Sequence, residues 1–428
     1  MDHFNLRNGT LQCESVPLAD IAAAVGTPVY VYSSATMRRH AQVFRAAVGG
    51  NDPLIAFAVK ANPNAAVLAT LAAEGLGADV VSIGEYRRAI AAGIPPERIV
   101  FSGVGKTAAE MAYALAHGLC QFNLESLVEA EMMSQVATSL GLSAPVAFRV
   151  NPDVVAGTHA KISTGSAANK FGVAIDEALA IYAAARDLPG LAIQGVAVHI
   201  GSQLTDLAPL DEAFEKVGAL ISELRGAGHV IGFADLGGGL GVPYDRDMPA
   251  PPSPDAYGAM VRRITADWGV RLIFEPGRMI VANAGVLLSE VIRVKPGVTD
   301  PFVIVDAAMN DLMRPSLYDA YHAIDAVRPS GATMVANVVG PVCESGDTFA
   351  TGRRMGAVAA GDLVVFRTAG AYAATMASTY NSRPLTPEVM VSGSDFAVIR
   401  ERQDIQALID ADTLPPWLMK VALVEAAA

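Results

Sequence analysis

Short apolar runs recur along the chain up to residue 275, and stretches with a different pattern separate them. Most of these runs are continuous rather than alternating in polarity, which is typical of parallel strands buried on both faces. The runs predict eight strands, at Leu54–Val59, Ala78–Ser82, Arg98–Ser102, Cys120–Asn123, Val146–Val150, Gly195–His199, Gly232–Leu236 and Arg271–Glu275.

The stretches between these runs are rich in alanine and carry apolar residues at helical spacing. The clearest are Ile83–Ala92, Ala108–His117, Leu124–Leu140, Ile175–Ala185 and Leu210–Gly226. Strands that alternate with helices form parallel sheets, and eight such units favour a closed (β/α)8 barrel of the TIM type. An open, doubly wound sheet is the competing architecture.

The pattern changes after the eighth run, where strand-like segments follow one another with few helices between them. These segments are Gly285–Val294, Phe302–Asp306, Met334–Gly340 and Asp362–Thr368. They predict a second, mainly antiparallel β domain, a sandwich or small barrel. The strand-like segment Val29–Tyr32 precedes a helix, Ala35–Ala47, and we expect that strand to pair with the second domain. The expected domain ranges are 33–280 for the barrel, and 1–32 with 281–428 for the β domain.

Composition narrows the classes of function. The 428 residues include 43 acidic and 31 basic side chains, and the formal net charge is −12. That charge disfavours nucleic acid and anionic membranes as partners. The hydrophobic fraction of 52% is ample for a folded core. Nevertheless, no window contains the roughly 18 uninterrupted apolar residues of a membrane-spanning helix.

The cysteines and the first residues indicate the compartment. Cys13, Cys120 and Cys343 are too widely spaced for a disulfide framework or a zinc pattern. The polar segment Met1–Gly9 lacks the apolar core of a signal peptide. We therefore expect a cytoplasmic protein without a metal site.

Polar residues gather at the carboxyl ends of the predicted strands, where barrels of this type carry their active sites. Lys60 follows the first strand and is either a lysine that reaches the rim or a partly desolvated amine that forms a Schiff base. His199 ends the sixth strand and is either a packed core residue or a ring stacked on a flat cofactor. Gly237–Gly239 follows the seventh strand and permits the close backbone approach that phosphate binding requires. The triplet lacks the spacing of a dinucleotide fingerprint.

The eighth predicted strand adds a carboxylate and an arginine. Glu275 lies on an otherwise apolar strand and needs a partner, and a protonated pyridine nitrogen would serve. Arg278 could hold a carboxylate or a phosphate with two hydrogen bonds. A lysine, a glycine turn and a carboxylate for a ring nitrogen together suggest pyridoxal 5'-phosphate. The longest predicted loop, Asn151–Asn169, has a length that favours a functional role at the barrel mouth.

These motifs, taken in order, resemble the diaminopimelate decarboxylases, which belong to the alanine-racemase-like fold type of pyridoxal-phosphate enzymes. The resemblance covers essentially the whole chain from Thr27 onward. The matching stretches are Ala58–Pro63, Asp79–Glu85, Ile162–Gly165, Lys170–Gly172, His199–Gln203, Gly237–Gly241, Glu275–Arg278, Met309–His322 and Gly340–Asp347.

The resemblance implies three catalytic residues: Lys60 attaches the cofactor, His199 stacks on its ring, and Cys343 is the catalytic acid. The implied cofactor contacts are Lys60, Asp79, His199, Ser202, Gly238, Gly239, Glu275, Gly277, Arg278 and Tyr372. The implied substrate contacts are Arg278, Arg314, Tyr318, Glu344 and Tyr372. In this family the residues at positions 343 and 344 come from the partner subunit, so a homodimer with a shared site is implied.

The reaction implied by the resemblance is the decarboxylation of meso-2,6-diaminopimelate to L-lysine and CO2, the last step of lysine biosynthesis. The main alternative is a decarboxylase of another basic amino acid: ornithine, arginine or carboxynorspermidine. A racemase is disfavoured because the tyrosine base of such enzymes has no matching motif here. A non-catalytic cofactor-binding protein on the same barrel is disfavoured because such proteins lack the second domain.

Overall fold

The computed structural model describes residues 2–50, 52–155, 170–245 and 247–418. The chain opens with β1 (Phe4–Arg7), β2 (Thr10–Cys13), β3 (Val16–Pro17), α1 (Leu18–Val25), β4 (Val29–Ser33) and α2 (Ser34–Val48). The predicted helix Ala35–Ala47 corresponds to α2, which is capped by the Ser33 hydroxyl accepting from the Thr36 N–H.

Alternating strands and helices follow. They are β5 (Leu54–Ala58), α3 (Ala65–Ala73), β6 (Gly77–Val80), α4 (Ile83–Ala91), β7 (Ile99–Phe101), α5 (Ala108–His117), β8 (Gln121–Leu124), α6 (Leu127–Leu140), β9 (Ala144–Asn151), β10 (Val173–Ala174), α7 (Ala178–Arg186), β11 (Leu191–Val198), α8 (Ala208–Gly226), β12 (Phe233–Asp235), α9 (Pro254–Thr265), β13 (Arg271–Phe274) and the short α10 (Arg278–Val281).

Eight of these strands close into a parallel barrel. Neighbours along the order β5, β6, β7, β8, β9, β11, β12, β13 are hydrogen-bonded, and β13 pairs with β5. The two-residue β10 adds to the edge of β9. The predicted closed barrel is confirmed, and the open doubly wound sheet is wrong. The aromatic rings of Phe57, Phe101, Phe122 and Phe148 are fully buried in its apolar core.

The ends of two barrel strands differ from the prediction in a way that matters for the site. The first predicted strand extends to Val59, but β5 ends at Ala58 and the chain enters a 3₁₀ turn, Val59–Ala61. The last barrel strand ends at Phe274, so Glu275 lies just beyond it. Apolar character reports burial rather than backbone pairing, and both turns are buried.

Helix boundaries follow capping chemistry. Helix α5 has its predicted bounds, because Thr107 and Glu110 form a reciprocal capping box at its start. Helix α6 begins at Leu127 rather than at the predicted Leu124, since the Ser126 hydroxyl caps it by accepting from the Glu129 N–H.

The remaining elements are β14 (Gly285–Lys295), β15 (Phe302–Val305), α11 (Arg314–Tyr318), β16 (Ile324–Ala326), β17 (Thr333–Val339), β18 (Thr348–Gly356), β19 (Leu363–Phe366), β20 (Glu388–Ser392), β21 (Asp395–Arg400) and α12 (Ile405–Asp410). The strands among them, together with the earlier β4, build a mostly antiparallel sheet in the order β18-β17-β15-β14-β4-β20-β21, with β19 also paired to β14 and β16. The second β domain is confirmed.

The early strand β4 joins this second sheet, as predicted. It runs antiparallel to β14, with Tyr32 opposite Gly285, and parallel to β20, with Tyr30 opposite Glu388. The small sheet β1-β2-β3 was not predicted, and Phe4 from it packs in the same apolar cluster as Val31. Among the described residues, no helix is long and apolar enough to cross a membrane.

Candidate active site

The carboxyl ends of the barrel strands surround a cavity of about 410 Å³, the inner cavity, which is lined by Lys60, Ser102, Asn123, His199, Asp235 and Glu275 among others. A second depression, the glycine pocket, adjoins it and shares three of those residues. Its lining includes Lys60, His199, Ser202, Gly237, Gly238, Gly239, Glu275, Gly277, Arg278 and Tyr372. Most of the predicted cofactor contacts therefore lie around one continuous space.

Lys60 points into that space from the 3₁₀ turn after β5. Its Nζ donates to Asp79 Oδ2 at 2.7 Å, and Asp79 at the end of β6 is fully buried. Burial, the largest single influence, lowers the pKa of Lys60, but the charges of Asp79, Tyr372 and Glu275 and the hydrogen bond to Asp79 together raise the pKa above its ordinary value. Lys60 is therefore an ammonium group in the free protein, and its proton has to leave before the amine can act as a nucleophile.

Glu275 follows β13, the strand that pairs with β5, and it also lines the inner cavity. Its Oε1 accepts from Ser102 Oγ at 3.2 Å and from Asn123 Nδ2 at 3.4 Å, and the same amide donates to Asp235 Oδ2 at 2.8 Å. Gln121 Nε2 donates to Asn123 Oδ1 at 2.7 Å, which fixes the orientation of the amide. Two buried carboxyl groups are thus joined through one asparagine.

The environment makes this carboxyl pair hold protons tightly. Burial raises the pKa of Glu275 well above its ordinary value, and the charges of Asp235 and Asp79 act in the same direction. Burial raises the pKa of Asp235 to about 6. A protonated ring nitrogen placed against Glu275 would supply the positive partner that burial denies this group.

The glycine pocket is built by backbone approaches that leave no room for side chains. A Cβ atom at Gly238 would lie 2.3 Å from the Glu275 carbonyl oxygen. A Cβ atom at Gly277 would lie 3.1 Å from the Cβ atoms of Ala58 and Ala61. Gly239 has a φ of +122°, and a Cβ there would lie 2.7 Å from the Gly201 carbonyl oxygen. This packing brings backbone close to any ligand in the pocket, as a phosphate site requires.

His199 is oriented by this turn. Its Nδ1 accepts from the Gly238 N–H at 3.2 Å. Burial lowers the pKa of His199 well below its ordinary value, and the positive charges of Arg149 and Lys60 add to the effect. The ring is therefore neutral, with an acceptor at Nδ1, and presents a flat, uncharged face to the shared space.

Two buried arginines lie close to each other: Arg278 lines the glycine pocket, and Arg314 shares the Tyr244 ring with Arg278. Arg278 donates from Nη2 to Ser202 Oγ at 3.1 Å and from Nη1 to the Tyr244 hydroxyl, and its guanidinium lies 4.8 Å from the Tyr372 ring centre. Arg314 lies over the Tyr244 ring at 4.5 Å. Within the described residues neither arginine forms an ion pair with a carboxylate, and both are more than nine-tenths buried. Uncompensated buried cations of this kind indicate anionic ligands.

Tyr372 connects the second sheet to the lysine turn. Its N–H donates to the Ala61 carbonyl oxygen at 2.9 Å, and its φ of 54° is rare for a residue other than glycine. Strained backbone of this kind concentrates at functional sites. Tyr318 ends α11, one helical turn after Arg314, and is half-buried.

Cys343 and Glu344 lie on the loop between β17 and β18. Both are exposed, and neither lines the inner cavity or the glycine pocket. Their loop is anchored by Asp347, which accepts from the Met309 N–H at 2.6 Å and from the Val342 N–H at 2.7 Å. The structure therefore presents this loop on the surface.

The sequence analysis missed three residues of the site. Asp235 is a carboxylate at the end of an apolar strand, and the reasoning applied to Glu275 would have found it. Tyr244 and His322 carry no local signal, because they join the two arginines only through the tertiary fold. Residues 156–169 of the predicted loop Asn151–Asn169, with the matching stretch Ile162–Gly165, lie outside the described residues.

Comparison with known proteins places this geometry in context. Residues 34–282 match the family model described as the pyridoxal binding domain of pyridoxal-dependent decarboxylases. The diaminopimelate decarboxylase of Zymomonas mobilis is 59% identical over 97% of this chain and 99% of its own length. That of Vibrio cholerae is 47% identical over 97% of this chain and 100% of its own length.

Solved structures agree with these relatives. The diaminopimelate decarboxylase of M. jannaschii in complex with L-lysine has a TM-score of 0.93 and 35% identity, covering 97% of this chain and 99% of that one. The Helicobacter pylori enzyme complexed with L-lysine has a TM-score of 0.89 and 40% identity, covering 92% of this chain and 98% of that one. A lysine/ornithine decarboxylase from Vibrio vulnificus, at 22% identity and a TM-score of 0.78, shares the fold.

Proposed function

The chain belongs to the diaminopimelate decarboxylase family of pyridoxal-dependent decarboxylases, and from this premise we propose that it converts meso-2,6-diaminopimelate to L-lysine and CO2, as the last step of lysine biosynthesis. The observation that carries the proposal is a pair of buried arginines: Arg278 lines the pocket that contains Lys60, and Arg314 lies over the Tyr244 ring that Arg278 also contacts. A diamino dicarboxylate and a phosphorylated cofactor bring the anions that these cations require.

The residues around the pocket fit pyridoxal 5'-phosphate. Lys60 is the amine for its aldehyde, Glu275 the partner of its ring nitrogen, and His199 the flat surface against its ring. The phosphate would lie at the glycine pocket, where Ser202, Gly238, Gly239, Gly277 and Arg278 converge. When bound, the cofactor supplies an aldehyde that links to amines and a ring that accepts the electron pair left by departing CO2.

The side chains of the barrel then divide the proton chemistry. Lys60 Nζ transfers its proton away before attachment, and Asp79 Oδ2 at 2.7 Å stabilises the charged form until then. Glu275 would keep a proton on the ring nitrogen, and Asn123, which donates to both Glu275 and Asp235, orients the Glu275 carboxyl group. The neutral His199 excludes water from one face without adding a competing positive charge.

The substrate end of the site lies toward the second sheet. Arg278, Arg314, Tyr318 and Tyr372 would hold the carboxylate that is retained in lysine. Glu344 of the partner subunit would accept from the ammonium group at the same end. These assignments follow the family resemblance, and the Arg278 guanidinium does lie against the Tyr372 ring.

We further propose a cytoplasmic homodimer in which each site is completed by the partner subunit's Cys343. The Cys343 thiol would give its proton to the carbon that has lost CO2 and regain one from solvent, which balances the reaction. Support comes from the exposure of Cys343 and Glu344 and from their absence from the lining of the inner cavity and the glycine pocket. We also propose that the chain divides into a barrel at 33–280 and a β domain at 1–32 and 281–428.

The central test is turnover by the purified protein loaded with pyridoxal phosphate. We expect CO2 and L-lysine from meso-diaminopimelate, and borohydride should trap the cofactor on Lys60. The variant Cys343→Ala should keep the cofactor absorbance and lose turnover, whereas the control Cys120→Ala should keep both. CO2 from ornithine, arginine or carboxynorspermidine but none from diaminopimelate would favour the alternative decarboxylase and overturn the assignment.

The shared site has its own test. Lys60→Ala and Cys343→Ala are each inactive if both residues are essential. Mixing them would generate heterodimers with one intact site and restore up to about a quarter of wild-type activity. No recovery after subunit exchange, verified by mass spectrometry of the mixed dimer, would contradict a site shared between subunits.

A further inference from the structure

His322 lies in a fully buried position between two groups of opposite hydrogen-bonding character. Its Nδ1 is 2.8 Å from the Arg367 carbonyl oxygen, and its Nε2 is 2.9 Å from Arg314 Nη1. A carbonyl oxygen only accepts, so Nδ1 carries the hydrogen. Nε2 then has a free lone pair and accepts from the Arg314 guanidinium, which only donates.

The surroundings keep this imidazole neutral. Burial lowers the pKa of His322 to about 3, and the positive charge of Arg314 acts in the same direction. The side chain of Arg367 is occupied elsewhere, by Asp325 at 2.8 Å and by the Phe4 carbonyl oxygen at 3.1 Å, so only its backbone oxygen meets the ring. His322 is a fixed acceptor rather than a switch at ordinary pH.

The neutrality of His322 matters because Arg314 then has a fixed position while its positive charge is not compensated by its neighbour. A carboxylate in place of the imidazole would hold the guanidinium equally well but would cancel its charge. Tyr244 completes the arrangement without adding a negative charge. Its ring lies under Arg314 at 4.5 Å and meets the His322 ring edge-on at 5.3 Å between centres.

We propose that His322 is a positioning residue that determines specificity for a substrate carboxylate. It holds Arg314 through a neutral acceptor, so the full positive charge of the guanidinium remains available to the carboxylate that the product lysine retains. The inference rests on the proposed function, since it takes Arg314 as a carboxylate contact. It predicts that the imidazole affects carboxylate recognition and leaves recognition of the rest of the substrate unchanged.

The test uses two ligands that differ by a single carboxylate, L-lysine and pentane-1,5-diamine. Their binding to the loaded enzyme is measured by displacement, monitored through the cofactor absorbance, with calorimetry as a second readout. The wild type should prefer lysine. His322→Phe keeps the ring volume without the acceptor, and it should weaken lysine binding about 10- to 100-fold with little change for the diamine.

Two further variants distinguish the hydrogen bond that holds Arg314 from the charge of the side chain at position 322. His322→Gln places an amide oxygen near the position of Nε2 and should restore the preference to within about threefold of wild type. His322→Glu should hold Arg314 yet lose the preference for lysine, because its carboxylate competes with the ligand. With meso-diaminopimelate, His322→Phe should raise KM more than it lowers kcat. Thermal melting of each variant verifies that it is folded.

The outcomes distinguish this inference from the function on which it rests. A wild type without preference for lysine over the diamine would refute Arg314 as a carboxylate contact, and with it that part of the proposed function. A wild type with the preference, alongside a His322→Phe that retains it, would overturn the role of His322 alone. Equal weakening of both ligands would show a merely structural residue. If His322→Phe does not fold, a His322→Glu variant with wild-type preference would overturn the inference just as directly.

Discussion

One methyl group added at Gly238 tests whether the glycine turn holds the cofactor. In Gly238→Ala the new Cβ would lie 2.3 Å from the Glu275 carbonyl oxygen and 3.1 Å from its carbonyl carbon. Both atoms belong to backbone, so no side-chain rotation relieves the contact. Gly238 lies outside the left-handed region, and the perturbation is therefore one of space rather than of backbone conformation.

The magnitude follows from the displacement. The turn must move about 1 Å before the methyl group reaches ordinary contact, and overpacking of this kind costs about 1–3 kcal/mol. The movement also takes the Gly238 N–H away from His199 Nδ1, at 3.2 Å in the native protein, which adds about 0.5–1.5 kcal/mol. In the cofactor-free protein the glycine turn can relax, but a bound cofactor would fix both the turn and the His199 ring. Most of the cost should therefore appear in cofactor affinity, as a rise in Kd of about 10- to 500-fold.

The assay is a titration of the cofactor-free protein with pyridoxal phosphate, monitored by visible absorbance. Gly232→Ala is the matched control: it lies just before β12, and its Cβ would come no closer than 3.9 Å to another atom. Its Kd should equal that of the wild type. A folded Gly238→Ala variant that binds the cofactor as tightly as the wild type would refute the reasoning, and so would an equal loss in the control.

Two other predictions concern stability. Tyr32→Phe removes a buried hydroxyl that donates to Glu388 Oε2 at 2.8 Å; urea unfolding should show a loss of about 1.5–3 kcal/mol, and an unchanged midpoint would contradict it. Burial raises the pKa of Asp235 to about 6, so the native cofactor-free protein binds more protons than the unfolded chain. As the pH rises from about 4 to about 6, the free energy of unfolding of the native cofactor-free protein should fall by up to about 3 kcal/mol relative to that of Asp235→Asn. If the difference in unfolding free energy between the two proteins does not change with pH, the pKa of Asp235 is not raised.

The barrel could be predicted because its strands are apolar on both faces. Segments such as Leu54–Ala58 are buried at every position, so hydrophobicity alone identifies them. The exact strand ends could not be predicted in this way. Val59 is as buried as its neighbours, yet it belongs to the turn that directs Lys60 into the cavity.

The strands that escaped prediction are short, partly exposed, or paired with distant segments. In β21, over Asp395–Arg400, no residue is buried, and its apolar run, Phe396–Ile399, is only four residues long. Its neighbour β20 pairs with β4, more than 350 residues earlier in the chain. The local pattern predicts β4 as a strand, but pairing over such a separation leaves no local signal of its partner β20.

The site residues likewise divide into those with a local sequence signal and those brought together only by long-range packing. Lys60, His199 and Glu275 were predictable because each ends an apolar strand, and a barrel brings strand ends together. Arg314 and His322 belong to the second part of the chain, and their meeting with Arg278 depends on how the second sheet packs on the barrel mouth. The two arginines contact the Tyr244 ring and the neutral His322 imidazole rather than carboxylates, so both charges remain available to an anionic ligand. The packing of the second sheet therefore sets the separation of Lys60 from Arg314. Under the proposed function, in which Arg314 holds the retained carboxylate, that separation would select the length of the amino acid that reaches both.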